Sequence, residues 1–211
     1  MDIKNLRLNY KKSTIDFKNL AKNPIQYFMN WFEDALKVNK QEANACVLST
    51  VSSDNCPSSR VVLLKGINEN GFTFFTNYKS SKANDIDENP NVALNFYWPE
   101  LERQVRITGV AKKIAINESD TYFETRPRDS QMGAWLSYQS KVIGLDYNFM
   151  ETLNSLESKF KDKTVERPLH WGGYCIAPVK VEFWQGRPSR LHDRLVYEIN
   201  EDKWIKKRLA P

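Results

Sequence analysis

Tyr122, Arg126 and Ser130 follow one another at intervals of four residues. On a continuous helix they would share one face, and a guanidinium with two hydroxyls is suited to binding a phosphate group. Pro127 interrupts that helix, so the spacing alone leaves a second interpretation open. In that interpretation Tyr122 belongs to the core, and the other two residues belong to the surface or to a helix cap.

Arg60 and Lys65 flank the apolar run Val-Val-Leu-Leu, which is typical of a β-strand. The two cations could simply extend from the strand ends into solvent. Pleating places residues 60 and 65 on opposite faces of a strand. A shared site would therefore require a bulge or a subunit interface.

A third group lies in Arg190-Leu-His-Asp-Arg194, shortly after Phe183-Trp184. A single histidine is more often structural than catalytic. The two arginines and the nearby tryptophan nevertheless favour a site for an anion or a cofactor at His192. Together, the three groups provide the side chains needed to hold a phosphate and a flat ring.

The elements that must position these residues can be predicted from periodicity and capping. Asn23-Pro24 is typical of a helix start, and apolar residues at helical spacing predict an amphipathic helix over 24–38. Residues 1–22 are basic and without periodicity, which predicts a mobile N-terminal arm outside the core. Residues 23–211 then form a single domain.

Alternating or β-branched runs, bounded by turn residues, predict an antiparallel arrangement of strands. The predicted strands cover 45–51, 60–66, 72–76, 92–98, 102–114, 173–178, 179–186, 193–199 and 203–209. Helices are expected near 80–89, at 118–126 with Asn117 as cap, and after Asp146 with an apolar stripe of Phe149, Leu153, Leu156 and Phe160. This pattern predicts an α+β fold, mainly β, built on an antiparallel barrel or sandwich with peripheral helices.

Composition narrows the possible functions. The chain has 211 residues and a net charge of +5, which suits one domain with an anionic partner. Three cysteines without paired spacing favour a reducing, cytoplasmic location, and two histidines leave little material for a metal site. We expect no membrane span. Rossmann, P-loop, zinc-protease and hydrolase motifs are absent from the sequence.

Several motifs, taken in order, resemble the pyridoxamine 5′-phosphate oxidase family over the region from about residue 45 to the C-terminus. They are Arg60-Val-Val-Leu-Leu-Lys65, Leu101-Glu-Arg-Gln-Val105, Thr125-Arg-Pro-Arg-Asp-Ser-Gln131, Gly133-Ala-Trp135, Gln139-Ser140, Trp171-Gly-Gly173, Glu182-Phe-Trp-Gln-Gly186, Arg190-Leu-His-Asp-Arg194 and Arg208-Leu-Ala-Pro211.

The resemblance implies an FMN-binding split β-barrel that forms a homodimer with FMN at the subunit interface. It also implies oxidation of pyridoxamine or pyridoxine 5′-phosphate to pyridoxal 5′-phosphate in vitamin B6 biosynthesis and salvage. Dioxygen would be the acceptor, and hydrogen peroxide would be released. Nucleic acid and membranes are not expected partners.

The resemblance further assigns roles to individual residues. Those matching flavin-contacting positions are Arg60, Val61, Val62, Leu63, Leu64, Lys65, Phe75, Thr76, Ser81, Lys82, Gln104, Gln139, Ser140, Trp184 and Arg194. Those matching substrate positions are Arg7, Tyr10, Lys65, Tyr122, Arg126, Ser130, Arg190, Leu191 and His192. Arg190 and His192 are the candidates nearest the reacting atoms, and Arg7 and Tyr10 belong to an arm that covers the substrate.

The sequence departs from the family pattern at two positions. Ser81 stands where many members carry arginine, so one contact with the flavin phosphate would be weaker or made by a hydroxyl. Phe75 stands where tyrosine is common. Two alternatives remain open: a flavin reductase-like protein on the same barrel, and a basic nucleic-acid-binding module.

Overall fold

The computed structural model describes residues 2–6 and 8–211. Within them, the chain forms nine strands and five α-helices. The strands are β1 Ala45–Val51, β2 Pro57–Leu63, β3 Gly66–Asn68, β4 Gly71–Asn77, β5 Asn91–Trp98, β6 Arg103–Lys113, β7 Trp171–Gln185, β8 Asp193–Asn200 and β9 Lys203–Leu209. The helices are α1 Pro24–Val38, α2 Ser81–Glu88, α3 Ile116–Glu124, α4 Arg128–Leu136 and α5 Phe149–Lys159.

A change of hydrogen-bond partner between β2 and β3 closes the sheet into an antiparallel barrel. The strands pair in the order β2-β1-β5-β6-β7-β4-β3. Leu64 N donates to Asn44 O on the β1 side at 2.8 Å, and Lys65 N donates to Thr73 O on the β4 side at 2.8 Å. The run predicted as one strand, 60–66, is therefore divided between two neighbours. The mainly β fold with peripheral helices is confirmed.

Strand β7 is longer than predicted. Two strands, 173–178 and 179–186, are predicted from the sequence, but β7 continues through Pro178 to Gln185. The pairing register between β6 and β7 shifts at Thr108/Gly109, opposite Pro178. A Cβ at Gly109 would lie 2.4 Å from Ala177 O, so only glycine allows this close approach. The irregular pairing accommodates a residue that cannot donate to the ladder.

Helix α1 packs across the barrel, and its predicted start is confirmed. The Asn23 side chain accepts a hydrogen bond from Gln26 N at 2.8 Å. Phe28 is fully buried and packs edge-to-face on Phe72 and Phe96, with ring centroids 5.0 Å apart in each pair. The apolar face of α1 thereby completes the main core.

The caps predicted for α3 and α5 are wrong. Ala115, not Asn117, precedes α3. Asn148, not Asp146, caps α5, and its side chain accepts hydrogen bonds from the first backbone amides of the helix. Several polar residues stand near each helix start, so sequence alone does not select among them. In the predicted stripe, Phe149 is half exposed, whereas the others pack against a second core cluster.

The N-terminal segment is partly integrated into the molecule. Ile15 is buried in the main core, and Phe17 and Leu20 pack against it. The expectation that all of 1–22 lies outside the core is therefore wrong, because these apolar side chains find a surface on the barrel. The mobility of the earlier residues stays a prediction. Among the described residues, the helices lack the length and apolar character needed to cross a membrane.

Candidate active site

A cavity of about 600 Å³ opens between the barrel and helices α2, α3 and α4. Eleven of the residues predicted from the sequence line it: Val61, Val62, Leu63, Lys65, Phe75, Thr76, Lys82, Tyr122, Arg126, Ser130 and Gln139. The break at Pro127 does not separate the predicted substrate residues. The chain turns between α3 and α4, and both helices face the same cavity.

Stacked aromatic rings form one wall of the cavity. The Phe75 ring stacks on Tyr122 with centroids 3.9 Å apart, and on Trp171 at 5.3 Å. The Arg126 guanidinium lies 4.5 Å from the centroid of the Trp171 ring. A cation held over an aromatic face keeps a fixed position and can still use its N–H donors.

Arg126 is the most unusual group in the cavity. Its Nη1 atom is buried and has no hydrogen-bond partner among the described residues. Burial lowers the pKa of Arg126, and the nearby Tyr122 hydroxyl opposes this effect. Burial also raises the pKa of Tyr122, so that its hydroxyl stays protonated and able to donate. An unpaired donor of this kind is costly unless a ligand satisfies it.

A second cation lies deeper in the same cavity. Lys82 is buried, and its Nζ donates to Gln139 Oε1 at 3.0 Å and to Ser80 Oγ at 3.3 Å. Thr76 Oγ1 donates to the same Gln139 oxygen at 3.1 Å. Burial, followed by the neighbouring charge of Arg60, lowers the pKa of Lys82.

Seven residues predicted to contact flavin lie outside the cavity lining, and four of these are Arg60, Leu64, Ser81 and Ser140. Arg60 donates from Nη1 to Thr50 Oγ1 at 2.7 Å, and its Nη2 lies 3.9 Å from Asp85. Leu64 is buried in the core on the same side of the strand. The opposite placement of residues 60 and 65 thus follows the predicted pleat. Ser81 and Ser140 are exposed.

The remaining predicted residues form a second group around β6, β7 and β8. Gln104 pairs with Trp184, and Trp184 pairs with Arg194, so the three lie in one row across the sheet. Arg194 Nε donates to Glu182 Oε1 at 2.8 Å. Burial alone would raise the pKa of Glu182, but hydrogen bonds from Arg194 and Arg106 outweigh it and lower the pKa.

His192 lies at the edge of this row. Its ring centroid is 4.6 Å from that of Trp184. Its Nδ1 accepts a hydrogen bond from Arg187 N at 3.1 Å, so a neutral ring carries its proton on Nε2. Burial and the charge of Arg190 lower the pKa of His192.

The loop before His192 is strained. Ser189 and Arg190 both adopt positive φ values, 55° and 61°, which disfavour residues other than glycine. Such strain is concentrated where a loop must present side chains in a particular direction. Leu191 is mostly exposed. The Tyr10 ring packs on this group, 5.9 Å from His192, whereas Arg7 lies outside the described residues.

Within the described residues of one chain, the two groups are separate. The members of the second group that the sequence singled out do not line the cavity. Tyr97, which pairs with Gln104 on the same sheet face, is half exposed. The row therefore continues into an open surface that a second molecule could cover.

Several residues of the cavity were not predicted as site residues from the sequence. Trp171 supplies part of the aromatic wall, and Asn77, Thr125 and Ser137 also line the space. Trp171 belongs to the Trp-Gly-Gly motif, but its stacking depends on three distant segments that periodicity cannot bring together. Asn77 Nδ2 donates to Ser137 O at 3.0 Å, and this contact likewise joins distant segments.

Comparison with known proteins decides the family. Residues 32–151 match the family model described as "Pyridoxamine 5'-phosphate oxidase". Residues 171–211 match "Pyridoxine 5'-phosphate oxidase C-terminal dimerisation region". The chain belongs to the pyridoxamine 5′-phosphate oxidase family. The resemblance inferred from the ordered motifs is confirmed.

Relatives in this family are similar over their full length. The chain is 48% identical over 211 residues to "Pyridoxine/pyridoxamine 5'-phosphate oxidase 2" of Hydrogenovibrio crunogenus, covering 100% of this chain and 99% of that protein. It is 49% identical over 212 residues to the pyridoxine/pyridoxamine 5'-phosphate oxidase of Aliarcobacter butzleri, covering 100% of both.

Solved structures agree on the fold. PhzG from Burkholderia lata, in complex with tetrahydrophenazine-1-carboxylic acid, superposes with a TM-score of 0.89 at 26% identity, covering 96% of this chain and 100% of that one. A pyridoxamine 5'-phosphate oxidase-related, FMN-binding protein from Nostoc punctiforme gives 0.74 at 16% identity, covering 91% and 100%. The split-barrel architecture is thus confirmed.

Proposed function

We propose that this protein is an FMN-dependent oxidase that converts pyridoxamine or pyridoxine 5′-phosphate to pyridoxal 5′-phosphate. The observation that carries this proposal is the buried Nη1 of Arg126, which has no partner within residues 2–6 and 8–211 and borders a cavity walled by stacked rings. A phosphate satisfies the cation, and a planar ring fits the wall. The full-length similarity to curated oxidases supports the same reaction.

The side chains fit FMN as well as the substrate. Lys82 and Thr76 supply a cation and a hydroxyl for the flavin phosphate, and the Gln139 amide between them can also bind polar atoms of the cofactor. Gln104 and Trp184 supply an amide and an aromatic surface for the flavin ring. Bound FMN supplies the redox chemistry, with dioxygen as final acceptor and hydrogen peroxide as product.

The chain's own groups bind and orient the substrate. The phosphate is held by Lys65, Tyr122, Arg126 and Ser130. This anchoring at one end of the substrate fixes the distance of the reacting C4′ carbon from the flavin. After oxidation of the amine substrate, water hydrolyses the C4′ imine to the aldehyde and ammonia.

Arg190 and His192 lie at the reacting end. His192 presents its Nε2–H outward, because the backbone N–H of Arg187 occupies Nδ1. The ring is thereby oriented to donate a hydrogen bond to a substrate oxygen or nitrogen. Burial and, to a smaller extent, the positive charge of Arg190 lower the pKa of His192 and so favour the neutral imidazole near pH 7.

The active unit is a homodimer in which each site uses both chains. The matched dimerisation region, 171–211, contains Trp184, His192 and Arg194. That row ends in an open sheet face, and Val61 at the cavity mouth is also mostly exposed. Pairing two chains brings the cavity of one protomer to the row of its partner and covers both surfaces.

The two alternatives are less well supported. A flavin reductase-like protein has no need for a second cation in the cavity besides Lys82, yet Arg126 provides one. A nucleic-acid-binding module requires cations arranged along an open surface. The distinctive cations here, Lys82 and Arg126, instead line an inward cavity.

Peroxide release tests the proposal. The purified protein, saturated with FMN, should bind the flavin stoichiometrically and release hydrogen peroxide and pyridoxal 5′-phosphate when given pyridoxamine 5′-phosphate. Unphosphorylated pyridoxamine is the matched control and should react far more slowly. A yellow protein that oxidises neither phosphorylated substrate would contradict the substrate assignment, and a colourless protein would contradict the cofactor.

A further inference from the structure

A buried carboxylate holds the N-terminal segment against the barrel. Glu102 Oε2 accepts hydrogen bonds from two successive backbone amides, Lys11 N at 2.8 Å and Lys12 N at 2.9 Å. Glu102 is only 8% exposed. It adopts a positive φ of 54° at the turn before β6. A strained backbone directs this charged side chain to the segment, and charge-assisted bonds compensate its burial.

A second carboxylate anchors the segment a few residues later. Asp193 Oδ2 accepts from Thr14 Oγ1 at 2.8 Å and from Ile15 N at 3.2 Å. Ile15 is itself buried in the core. The segment is therefore attached firmly at residues 14–15, and Glu102 determines the path of the chain immediately before this anchor.

That path determines where Tyr10 lies. The Tyr10 ring packs edge-on against Trp184, with centroids 5.7 Å apart, and against His192 at 5.9 Å. A Cβ at Gly186 would lie 2.7 Å from Tyr10 Cγ, so the glycine leaves the space that the ring occupies. The ring thus lies immediately before the two backbone amides that Glu102 holds.

We infer that Glu102 is a positioning residue, which acts through the amides of Lys11 and Lys12 to hold Tyr10 over the Trp184–His192 surface. The inference rests on the proposed function in one respect: this surface is the reacting end of the site. Glu102 does not line the cavity that holds the predicted substrate residues. It acts by keeping the segment closed over the bound ligand, which slows ligand escape.

Limited proteolysis of the FMN-loaded enzyme tests the contact without reference to activity. Trypsin cleaves after lysine, so release of the segment exposes the bonds after Lys11 and Lys12. Loss of two charge-assisted hydrogen bonds should speed this cleavage by about tenfold or more in Glu102→Ala. The control, Glu100→Ala, removes an exposed carboxylate in the same turn and should be cut at the wild-type rate.

Kinetics then test the positioning role. Glu102→Ala should raise KM for pyridoxamine 5′-phosphate by about tenfold and change kcat by less than threefold, because the segment retains substrate and does not perform the reaction. Glu102→Gln keeps an acceptor oxygen and should restore most of the wild-type KM and protection. Adding Tyr10→Ala to Glu102→Ala should have little further effect, since both changes release the same ring.

Each outcome is decisive. Unchanged cleavage in both Glu102 variants would overturn the contact. Faster cleavage with unchanged KM would overturn the positioning role. If Glu102→Ala fails to fold, Glu102→Leu, which keeps the size of the side chain and removes both acceptor oxygens, replaces it in the same comparison. Failure of the proposed function is recognised separately, because the wild-type protein would then lack oxidase activity while its cleavage pattern could still depend on Glu102.

Discussion

The cavity around Arg126 and the surface around Trp184 differ in whether their arginines are paired with carboxylates. Arg126 keeps a buried nitrogen without a partner among the described residues, whereas Arg194 and Arg106 both bind Glu182. An unpaired buried cation reduces stability and is tolerated where a ligand completes it. Paired arginines instead maintain the shape of a surface. Arg126 is thus free to bind an anionic ligand, as far as the described residues show, whereas Arg106 and Arg194 are already paired with a carboxylate.

The two regions also differ in how far the residues of one chain enclose them. The cavity is enclosed within one chain by α3, α4 and the start of β7, which share a core cluster of their own. The Trp184 surface is a sheet face that remains partly open, with Tyr10 as its cover from the same chain. One chain therefore supplies the whole of the proposed phosphate site, whereas the proposed reacting surface would need the arm and a partner.

Removing the unpaired cation should have the largest effect. Arg126→Ala should raise KM for pyridoxamine 5′-phosphate by roughly 10- to 150-fold, which corresponds to about 1.5–3 kcal/mol for a charge-assisted contact. FMN affinity should change much less, and thermal stability should not fall, because an unsatisfied buried group is removed. Steady-state kinetics, a flavin titration and a melting curve measure the three quantities.

Arg128→Ala is the matched control, since Arg128 donates only to backbone carbonyls of Phe160 and Lys163. Its KM should stay near the wild-type value. Equal losses of substrate and flavin affinity in Arg126→Ala would contradict the assignment of this arginine to the substrate phosphate. The complementary variant Arg60→Ala should instead weaken FMN binding, through the loss of its charge beside Lys82.

Mixing two impaired variants, assayed at a substrate concentration well below the raised KM of Arg126→Ala, should test whether the two regions meet across a dimer. Arg126→Ala alters the cavity and Arg190→Ala alters the opposite surface. In a random mixture half of the dimers are heterodimers, and each would contain one intact site, so about a quarter of the wild-type activity should return. Activity is measured after joint refolding or co-expression of the two chains.

A mixture of Arg126→Ala with Lys65→Ala is the control for that experiment. Both changes lie in the same cavity, so each site of their heterodimer retains one defect and activity should not return. If the first mixture stays inactive while heterodimers form, each site belongs to a single chain and the shared-site proposal fails.

The paired charges should contribute to stability with a predictable pH dependence. Because the pKa of Glu182 is lowered in the folded protein, its contribution is present above the ordinary value of 4.5 and is lost as pH falls through the folded value. Glu182→Gln should cost about 1–2 kcal/mol at pH 7 and little in acid, since Arg194 stays partly hydrated. Urea unfolding at both pH values measures this; an equal cost at both would refute the pairing argument.

The smallest expected effect concerns His192. Burial and Arg190 lower its pKa below the ordinary 6.5, so the neutral form persists at pH 7. We expect kcat/KM to fall as pH decreases through this lowered pKa, because protonation of His192 Nδ1 breaks the hydrogen bond from Arg187 N. Arg190→Lys retains the charge, so the pH at which kcat/KM falls should not change. In Arg190→Ala the fall should occur at higher pH. If neither variant changes this pH, the fall in kcat/KM is caused by a group other than His192.

Much of this arrangement was determined by the sequence alone. Asn23-Pro24 and the apolar spacing after it define α1, because capping and helical periodicity are local properties. The ordered motifs identified the family and most residues of the cavity. The opposite faces of Arg60 and Lys65 follow from the pleat of any strand. Each of these depends on residues that are near one another in the chain.

Only the tertiary structure decided the remainder. Trp171 stacks on Phe75 and Tyr122, and Ile15 enters the core, through contacts between segments far apart in sequence. The continuity of β7 through Pro178 depends on a shift in its pairing register with β6. The unpaired state of Arg126 is also a tertiary property. Whether a cation is satisfied depends on every group that folding brings within hydrogen-bond distance, and no local pattern records them.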